Sequence, residues 1–266
     1  MQETKGHMSE KLNFYKYQGA GNDFILIDNR AGNFDPNDNA LINKLCDRRF
    51  GIGADGLMLL QDKKNYDFEM LYYNADGQEG SMCGNGGRCI VAFAHDLGII
   101  ADKTVFMAVD GEHHAQYEEG QICLGMIDVD QVQKDNYAFV LNTGSPHYVA
   151  LRKNLKELDV YQEGYNIRHN VTYNAAGINV NFVEKEGDGY FVRTFERGVE
   201  DETLACGTGA TAVAMAMALA NNQEGELKIP VRVLGGQLYI SFHKKGTHFS
   251  NVQLIGPATF VFKGTI

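Results

Sequence analysis

A motif that occurs twice is the feature of this sequence that most constrains its fold. Residues 82–87 are Met-Cys-Gly-Asn-Gly-Gly, and residues 205–210 are Ala-Cys-Gly-Thr-Gly-Ala. Each motif leads into an apolar stretch typical of a helix, at 88–97 in the first copy and 211–220 in the second. The sequence therefore predicts two helices, each preceded by a cysteine and by small residues that leave the backbone amides open.

A glycine-rich loop lies at nearly the same distance before each cysteine. The loop that begins at Gly19 lies 64 positions before Cys83, and the loop that begins at Gly144 lies 62 positions before Cys206. The order of loop, strands, cysteine motif and helix is thus present twice. We therefore predict an α+β fold of two similar domains, each a mostly antiparallel sheet wrapped around a central helix, with the active site in the cleft between them.

Polar residues near 128–135 indicate the domain boundary. This gives an N-terminal half at 1–130 and a C-terminal half at 131–266, and we allow the last strand to return to the first domain. One further helix is predicted at 39–49. Strands are predicted where aromatic and branched residues are bounded by Gly, Asn or Asp. They are 12–17, 23–28, 57–60, 66–73, 104–109, 137–141, 147–151, 178–184, 190–195, 228–234, 237–242, 252–255 and 258–262.

Cysteines that precede a helix are candidates for reactive thiols. The unpaired N–H groups and the positive end of the helix dipole stabilise a thiolate, so we expect lowered pKa values for Cys83 and Cys206. The same amides can bind a carboxylate. Two thiols on opposite faces of a Cα–H group can remove a proton from one face and return one to the other, which inverts the stereocentre. This chemistry requires donors on the substrate carboxylate that stabilise the carbanion.

An acidic composition limits the classes of partner. The chain has 24 Lys and Arg against 34 Asp and Glu, which argues against nucleic acid and anionic membranes. The longest strongly apolar run, 210–220, is too short to cross a bilayer. Residues 1–8 lack the apolar core of a signal peptide, so we expect a reducing, cytoplasmic location with free thiols. No CxxC pair indicates a zinc site, and we assign no metal.

The motifs around both cysteines resemble those of the diaminopimelate epimerase family. Residues 74–77 with 82–89 are similar to its first cysteine signature, residues 195–198 with 202–209 to its second, and residues 19–24 to its N-terminal loop. The resemblance covers essentially the whole chain. It implies a cofactor-independent epimerase that interconverts LL- and meso-2,6-diaminoheptanedioate on the route to lysine and peptidoglycan. It also implies a homodimer.

The resemblance implies roles at the reacting carbon and at the distal end of the substrate. Cys83 and Cys206 are the acid–base pair. The donors to the carboxylate at the reacting centre are Gly84, Asn85, Gly207 and Thr208. The polar contacts to the substrate are Asn22, Asn74 and Asn179.

The resemblance also implies roles for three further residues. Arg197 resembles the planar fork that holds the distal carboxylate. Glu196 accepts a hydrogen bond from a substrate ammonium group and, with His147, adjusts the pKa of the thiols. A hydrogen-bonded core histidine remains the alternative for His147.

Three positions depart from the family pattern. Ser145 stands in Gly-Ser-Pro-His where the family often has Asn, and Gly56 stands where some members have a Gln contact. Leu234 replaces the proline of a Pro-Gly-Gly turn. Whether Ser145 or Gly56 contacts the substrate stays open.

Other functions are compatible with parts of the pattern. A proline or hydroxyproline racemase shares the second signature but usually has His in place of Asn85. Asn85, together with Arg197 for a second carboxylate, favours a dicarboxylic diamino acid. A thiol redox enzyme would use Cys83 and Cys206 as a disulfide couple, which no CxxC motif supports. A non-catalytic amino-acid-binding protein would need neither thiol.

Overall fold

Two β-rich halves, each built around one helix, make up residues 11–266, the part of the chain that the computed structural model describes. Residues 1–8, for which we predict no signal peptide, lie outside the described residues. The elements up to residue 125 are β1 Asn13–Gly19, β2 Asn22–Asp28, α1 Asn39–Cys46, β3 Gly56–Gln61, β4 Glu69–Asn74, α2 Gly84–Asp96, β5 Lys103–Ala108, β6 Gly111–Glu118 and β7 Gln121–Gly125.

The elements after residue 125 follow a closely similar order. They are β8 Val132–Asp135, β9 Ala138–Asn142, β10 Pro146–Leu151, a 3-10 turn at Leu155–Glu157, α3 Val160–Arg168, β11 Asn179–Glu186, β12 Gly189–Glu196, β13 Asp201–Thr203, α4 Gly207–Ala220, β14 Gly225–Val233, β15 Gly236–Lys245, β16 His248–Pro257 and β17 Thr259–Thr265.

Strand pairing repeats between the halves. β2 and β3 are parallel, β3 and β4 are antiparallel, and α1 joins the first two. In the same way β10 and β11 are parallel, β11 and β12 are antiparallel, and α3 joins the first two. The antiparallel series β5–β6–β7 corresponds to β14–β15–β16. The predicted fold class of two similar α+β domains is therefore confirmed.

Strand pairs also connect the halves. β7 pairs with β16, and the first strand, β1, pairs with the last, β17, both in antiparallel fashion. β17 and β8 occupy equivalent positions in the two halves. β17 is the antiparallel neighbour of β1, and β8 is the antiparallel neighbour of β9. The boundary between residues 130 and 131 stays a prediction.

The two central helices begin earlier than predicted. α2 starts at Gly84 and α4 at Gly207, directly after each cysteine, rather than at residues 88 and 211. Glycine in the interior of a helix is unfavourable, so the sequence pattern places the helix starts after the glycines. In the structure the glycines form the first turn, where the backbone N–H groups have no partner within the helix and are available to other groups. Each helix is the centre of an apolar core, α2 in the first half and α4 in the second.

Several elements were not predicted. They are α3, β6, β7, β8 and β13. The predicted helix at 39–49 ends at Cys46, because Asp47 has an extended backbone. Among residues 11–266, no helix is both long and apolar enough to span a membrane.

Candidate active site

The N-termini of α2 and α4 meet between the two halves. Gly207 Cα lies 3.7 Å from the position that a Cβ on Gly84 would occupy, and Leu254 Cδ2 lies 2.7 Å from that position. A Cβ on Gly207 would meet the same Leu254 atom at 2.7 Å. Glycine at both positions therefore lets the helices approach end to end. Cys83 and Cys206, the residues that cap these helices, lie on either side of this junction.

Cys83 lies beside a chain of amide side chains. Its Sγ is 3.8 Å from Asn22 Oδ1, and Asn22 Nδ2 donates to Asp55 Oδ2 at 2.5 Å. Asn85 Nδ2 donates to Asn22 Oδ1 at 3.4 Å and to the carbonyl of Ala205 at 3.0 Å. Asn85 thus links the first turn of α2 to the residue that precedes Cys206, so one amide joins the two halves at the site.

Cys206 has a more enclosed setting. It is 8% exposed, and its Sγ lies 3.4 Å from Thr208 Oγ1. The carbonyl of Thr208 accepts a hydrogen bond of 2.8 Å from Thr143 Oγ1. This bond connects the first turn of α4 to the loop before β10, the counterpart of the loop before β2, which begins at Asn22.

Burial controls the acidity of both thiols. It raises the pKa of Cys83, although the amides of Gly86 and Asn85 act in the opposite direction. Burial raises the pKa of Cys206 to about 12, against the lowering effects of Thr208 and Gly209. Our expectation of lowered pKa values is therefore wrong for this structure, because loss of hydration outweighs the helix N-terminus.

Glu196 acts electrostatically on both thiols. Its negative charge raises the pKa of Cys83 and of Cys206, and burial raises the pKa of its own carboxyl group. The groups that act on this carboxyl are Thr203, which lowers its pKa, and Asp55, whose negative charge raises it. The carboxyl therefore lies near both thiols without a cationic partner among residues 11–266.

A second polar cluster lies farther along the cleft. Asn179 Nδ2 donates to Ser145 Oγ at 2.9 Å, and the amide of Arg197 donates to Asn179 Oδ1 at 2.9 Å. Arg197 Nη2 also donates to Ser145 Oγ, at 3.4 Å. Ser145 is thus in contact with two residues that we predicted as substrate contacts.

Two predicted site residues lie outside these clusters. Asn74 is exposed at the end of β4, where its backbone pairs with Gly56. His147 is fully buried, and its Nδ1 is 3.1 Å from Asn181 Nδ2. Burial lowers the pKa of His147 to about 3, so the ring is neutral. His147 is not among the groups that shift the pKa of either thiol.

The structure adds site residues that the sequence analysis missed. Tyr72 occupies the space beside Gly56, since a Cβ there would lie 2.6 Å from its Cε2. Asp55 holds Asn22, and Arg88 holds Asn85. The position of Arg88 directly after the first cysteine motif was the available signal. Among the described residues, no group of three or more His, Cys, Asp or Glu side chains is placed to hold a metal ion.

Comparison with known proteins shows the family to which the chain belongs. The family model described as "Diaminopimelate epimerase" matches residues 14–122 and 139–261. The chain belongs to the diaminopimelate epimerase family. Diaminopimelate epimerase of Flavobacterium psychrophilum is 54% identical over 96% of this chain and 100% of its own. That of Chlorobaculum tepidum is 45% identical over 93% of this chain and 98% of its own.

Solved structures at low identity share the fold. A phenazine biosynthesis protein of the PhzF family from Bacillus anthracis superposes with a TM-score of 0.78 at 13% identity, over 97% of this chain and 99% of its own. A hydroxyproline epimerase from Agrobacterium vitis, solved with trans-4-hydroxy-L-proline, superposes with a TM-score of 0.68 at 14% identity, over 97% and 93%. This chain and these two proteins therefore share one fold.

Proposed function

We propose that this member of the diaminopimelate epimerase family is an isomerase that interconverts LL- and meso-2,6-diaminoheptanedioate by proton transfer between two cysteines. The observation that supports this most directly is the end-to-end meeting of α2 and α4, whose capping residues are Cys83 and Cys206. One thiolate removes the α-proton and the opposite thiol donates a proton to the other face. The two cysteines exchange these roles when the reaction reverses.

The first turns of both helices would stabilise the carbanion. The donors are the backbone amides of Gly84, Asn85, Gly207 and Thr208 and the hydroxyl of Thr208, which would bind the carboxylate at the reacting carbon. Because these donors are fixed in a buried site, they need little reorganisation as charge develops. Burial also makes each thiolate a stronger base, since a raised pKa reduces the thiolate fraction but increases its proton affinity.

The remaining polar groups would hold the rest of the substrate. Glu196 would accept hydrogen bonds from an ammonium group near the thiols, and Arg197 with Asn179 would bind the distal carboxylate, with Asn22 and Asn74 as further contacts. Ser145 Oγ touches both Arg197 and Asn179, so we add it to this set. His147, which is buried and neutral, would support the loop rather than titrate.

The proposal includes a homodimer in the cytoplasm that supplies lysine and peptidoglycan precursors. Among residues 11–266, β17 pairs with β1 alone, and its side chains Phe260, Val261 and Phe262 are about half exposed. An exposed apolar edge strand is a template for pairing with another chain. Light scattering should therefore give twice the mass of the chain, and Val261→Lys should shift the protein toward monomer.

Proton exchange measured by NMR tests the activity. The reduced protein is incubated with LL-2,6-diaminoheptanedioate in deuterated water, beside Cys83→Ser, Cys206→Ser and the control Cys123→Ser, a half-buried cysteine of β7. We expect deuterium at one α-carbon and formation of the meso isomer in wild type and control. Both site variants should lose epimerisation, because each removes one of the two proton carriers.

Other outcomes would redirect the assignment. Exchange with proline or hydroxyproline but not with the diamino acid would move the protein to the racemases. Binding of the diamino acid that survives Cys206→Ala, with no exchange in wild type, would indicate a binding protein. Full epimerisation in either serine variant would contradict the two-cysteine mechanism.

A further inference from the structure

Arg88 is a buried cation that the proposed reaction does not use. Its side chain is 0% exposed, the largest among the fully buried side chains of residues 11–266. Arginine is almost never fully buried without an acidic partner. The ionisable groups that act on Arg88 are the thiols of Cys89 and Cys83, and no carboxylate is among them. A buried positive charge is therefore present one helical turn behind the first site cysteine.

The hydrogen bonds of Arg88 orient the first turn of α2. Nη1 donates to the carbonyl of Gly84 at 3.1 Å, Nη2 donates to Asn85 Oδ1 at 3.0 Å, and Nε donates to the carbonyl of Pro257 at 3.5 Å. A guanidinium group can only donate, so it requires the oxygen of the Asn85 amide to face it. The Asn85 nitrogen must then face the carbonyl of Ala205, on the Cys206 side of the junction.

The charges around Cys83 come from several elements. Glu196 of β12 is negative and opposes thiolate formation, and Arg88 of α2 is positive and favours it. Tyr72 of β4 and Cys89 of α2 are neutral neighbours whose ionisation is suppressed by burial. Arg88 is thus a cation that favours negative charge at Cys83.

We propose that Arg88 is a positioning residue of the site, which fixes the Asn85 amide across the two halves and serves as the buried counter-charge for the anion that forms at Cys83. This role rests on the proposed function, in which Cys83 alternates between thiol and thiolate. Arg88 acts through Asn85 and through its charge, and it does not touch the reacting carbon.

Cysteine alkylation as a function of pH tests the counter-charge without substrate. Arg88→Gln keeps hydrogen-bond donors and loses the charge, and Arg88→Lys keeps the charge and loses the planar fork. Arg152→Met removes an arginine that is ion-paired with Glu163 and is the control. Peptide mapping after iodoacetamide treatment reports Cys83 separately. We expect Arg88→Gln to raise the pKa of Cys83 by about one unit or more, and Arg88→Lys to raise it less.

Rates of α-proton exchange test the positioning role. Arg88→Lys should lower kcat roughly tenfold, because the Asn85 amide loses its fixed orientation. A folded Arg88→Gln variant with the wild-type alkylation profile of Cys83 would overturn the proposal. If Arg88→Gln does not fold, Arg88→Lys decides, and wild-type kcat in that variant would overturn it. Absence of epimerisation in the wild-type protein would instead refute the proposed function and leave the alkylation result standing.

Discussion

The two halves hold their cysteines with different kinds of side chain. The first half connects Cys83 through Asn22 to a charged network of Asp55, Arg48, Asp23 and Lys16. The second half places neutral polar residues behind Cys206, namely His147, Asn181 and Thr194. The repeated backbone therefore sets where the two thiols lie, and it does not set the electrostatic environment of each.

The two central helices, α2 and α4, also differ in charge. α2 contains Arg88 one turn after its capping cysteine, whereas α4 contains no charged residue and is buried from Gly209 to Ala218. Cys83 is half-buried and Cys206 is 8% exposed. Two thiols with the same local backbone can thus differ in burial and in the charges that act on them.

Substitutions at the junction of α2 and α4 should lower kcat more than the other substitutions compared below. Gly84→Ala and Gly207→Ala each add a methyl group that meets Leu254 Cδ2 at 2.7 Å, so the Leu254 side chain must shift at the junction, and any overlap that this shift does not relieve displaces the capping cysteines. We expect kcat to fall by about 100-fold in both, since a displacement of about 1 Å can cost that much. Steady-state kinetics measures this, with circular dichroism as the folding control. A wild-type rate in one variant alone would show that the halves do not share the contact equally.

The repeat could have predicted more of the fold than the local patterns did. α3 is the counterpart of α1, and the unpredicted strands β6 and β7 are counterparts of β15 and β16, whose core segments were predicted. The local composition of β6 does not indicate a strand, because β6 is rich in polar and charged residues and only Ala115 in it is buried.

The candidate site could be predicted from the sequence only in part. The cysteine motifs are local, so Cys83, Cys206 and the amides after them were identifiable, and the structure brings them together. The direction in which the pKa values of the two thiols shift could not be predicted, because it depends on burial by residues distant in sequence, such as Leu254. The roles of Asp55 and Arg88 depend on which amide atom each contacts, the nitrogen of Asn22 for Asp55 and the oxygen of Asn85 for Arg88, and no spacing rule gives that.

The two halves should also differ in the pH at which they lose stability. Burial lowers the pKa of His147 from 6.5 to about 3, so its contribution to stability is present above pH 6.5 and is lost as the pH falls toward 3. Hydrogen bonds from Arg48 and Lys16 outweigh burial and lower the pKa of Asp23 from 3.8 to about 2, so its contribution is lost only below pH 3.8. The neutral network of the second half should therefore fail at the higher pH.

Urea unfolding at pH 7 and pH 4.5 measures this difference. Wild type should lose roughly 2–3 kcal/mol more than His147→Gln between the two pH values, because only the wild type must protonate the buried ring on unfolding. His114→Gln, at an exposed histidine, is the control and should follow wild type. Equal losses in wild type and His147→Gln would mean that His147 is not held neutral by the second half.

The smallest effect should come from the outermost residues of the charged network. Asp55 accepts from Asn22 Nδ2 and from Arg48, whose side chain is 57% exposed. Without Asp55, the Asn22 amide is free to turn its nitrogen toward Cys83, so Asp55→Ala should lower kcat about tenfold, equivalent to about 1.4 kcal/mol. Arg48→Met leaves Asp55 in place and removes the ion pairs of an exposed side chain with Asp23 and Asp55, so it should change stability by about 1 kcal/mol per pair or less and kcat by less than about threefold. Steady-state kinetics and thermal unfolding of both variants check this ranking. If Arg48→Met impairs catalysis as much as Asp55→Ala, the first half depends on the whole charged network rather than on the single bond between Asp55 and Asn22.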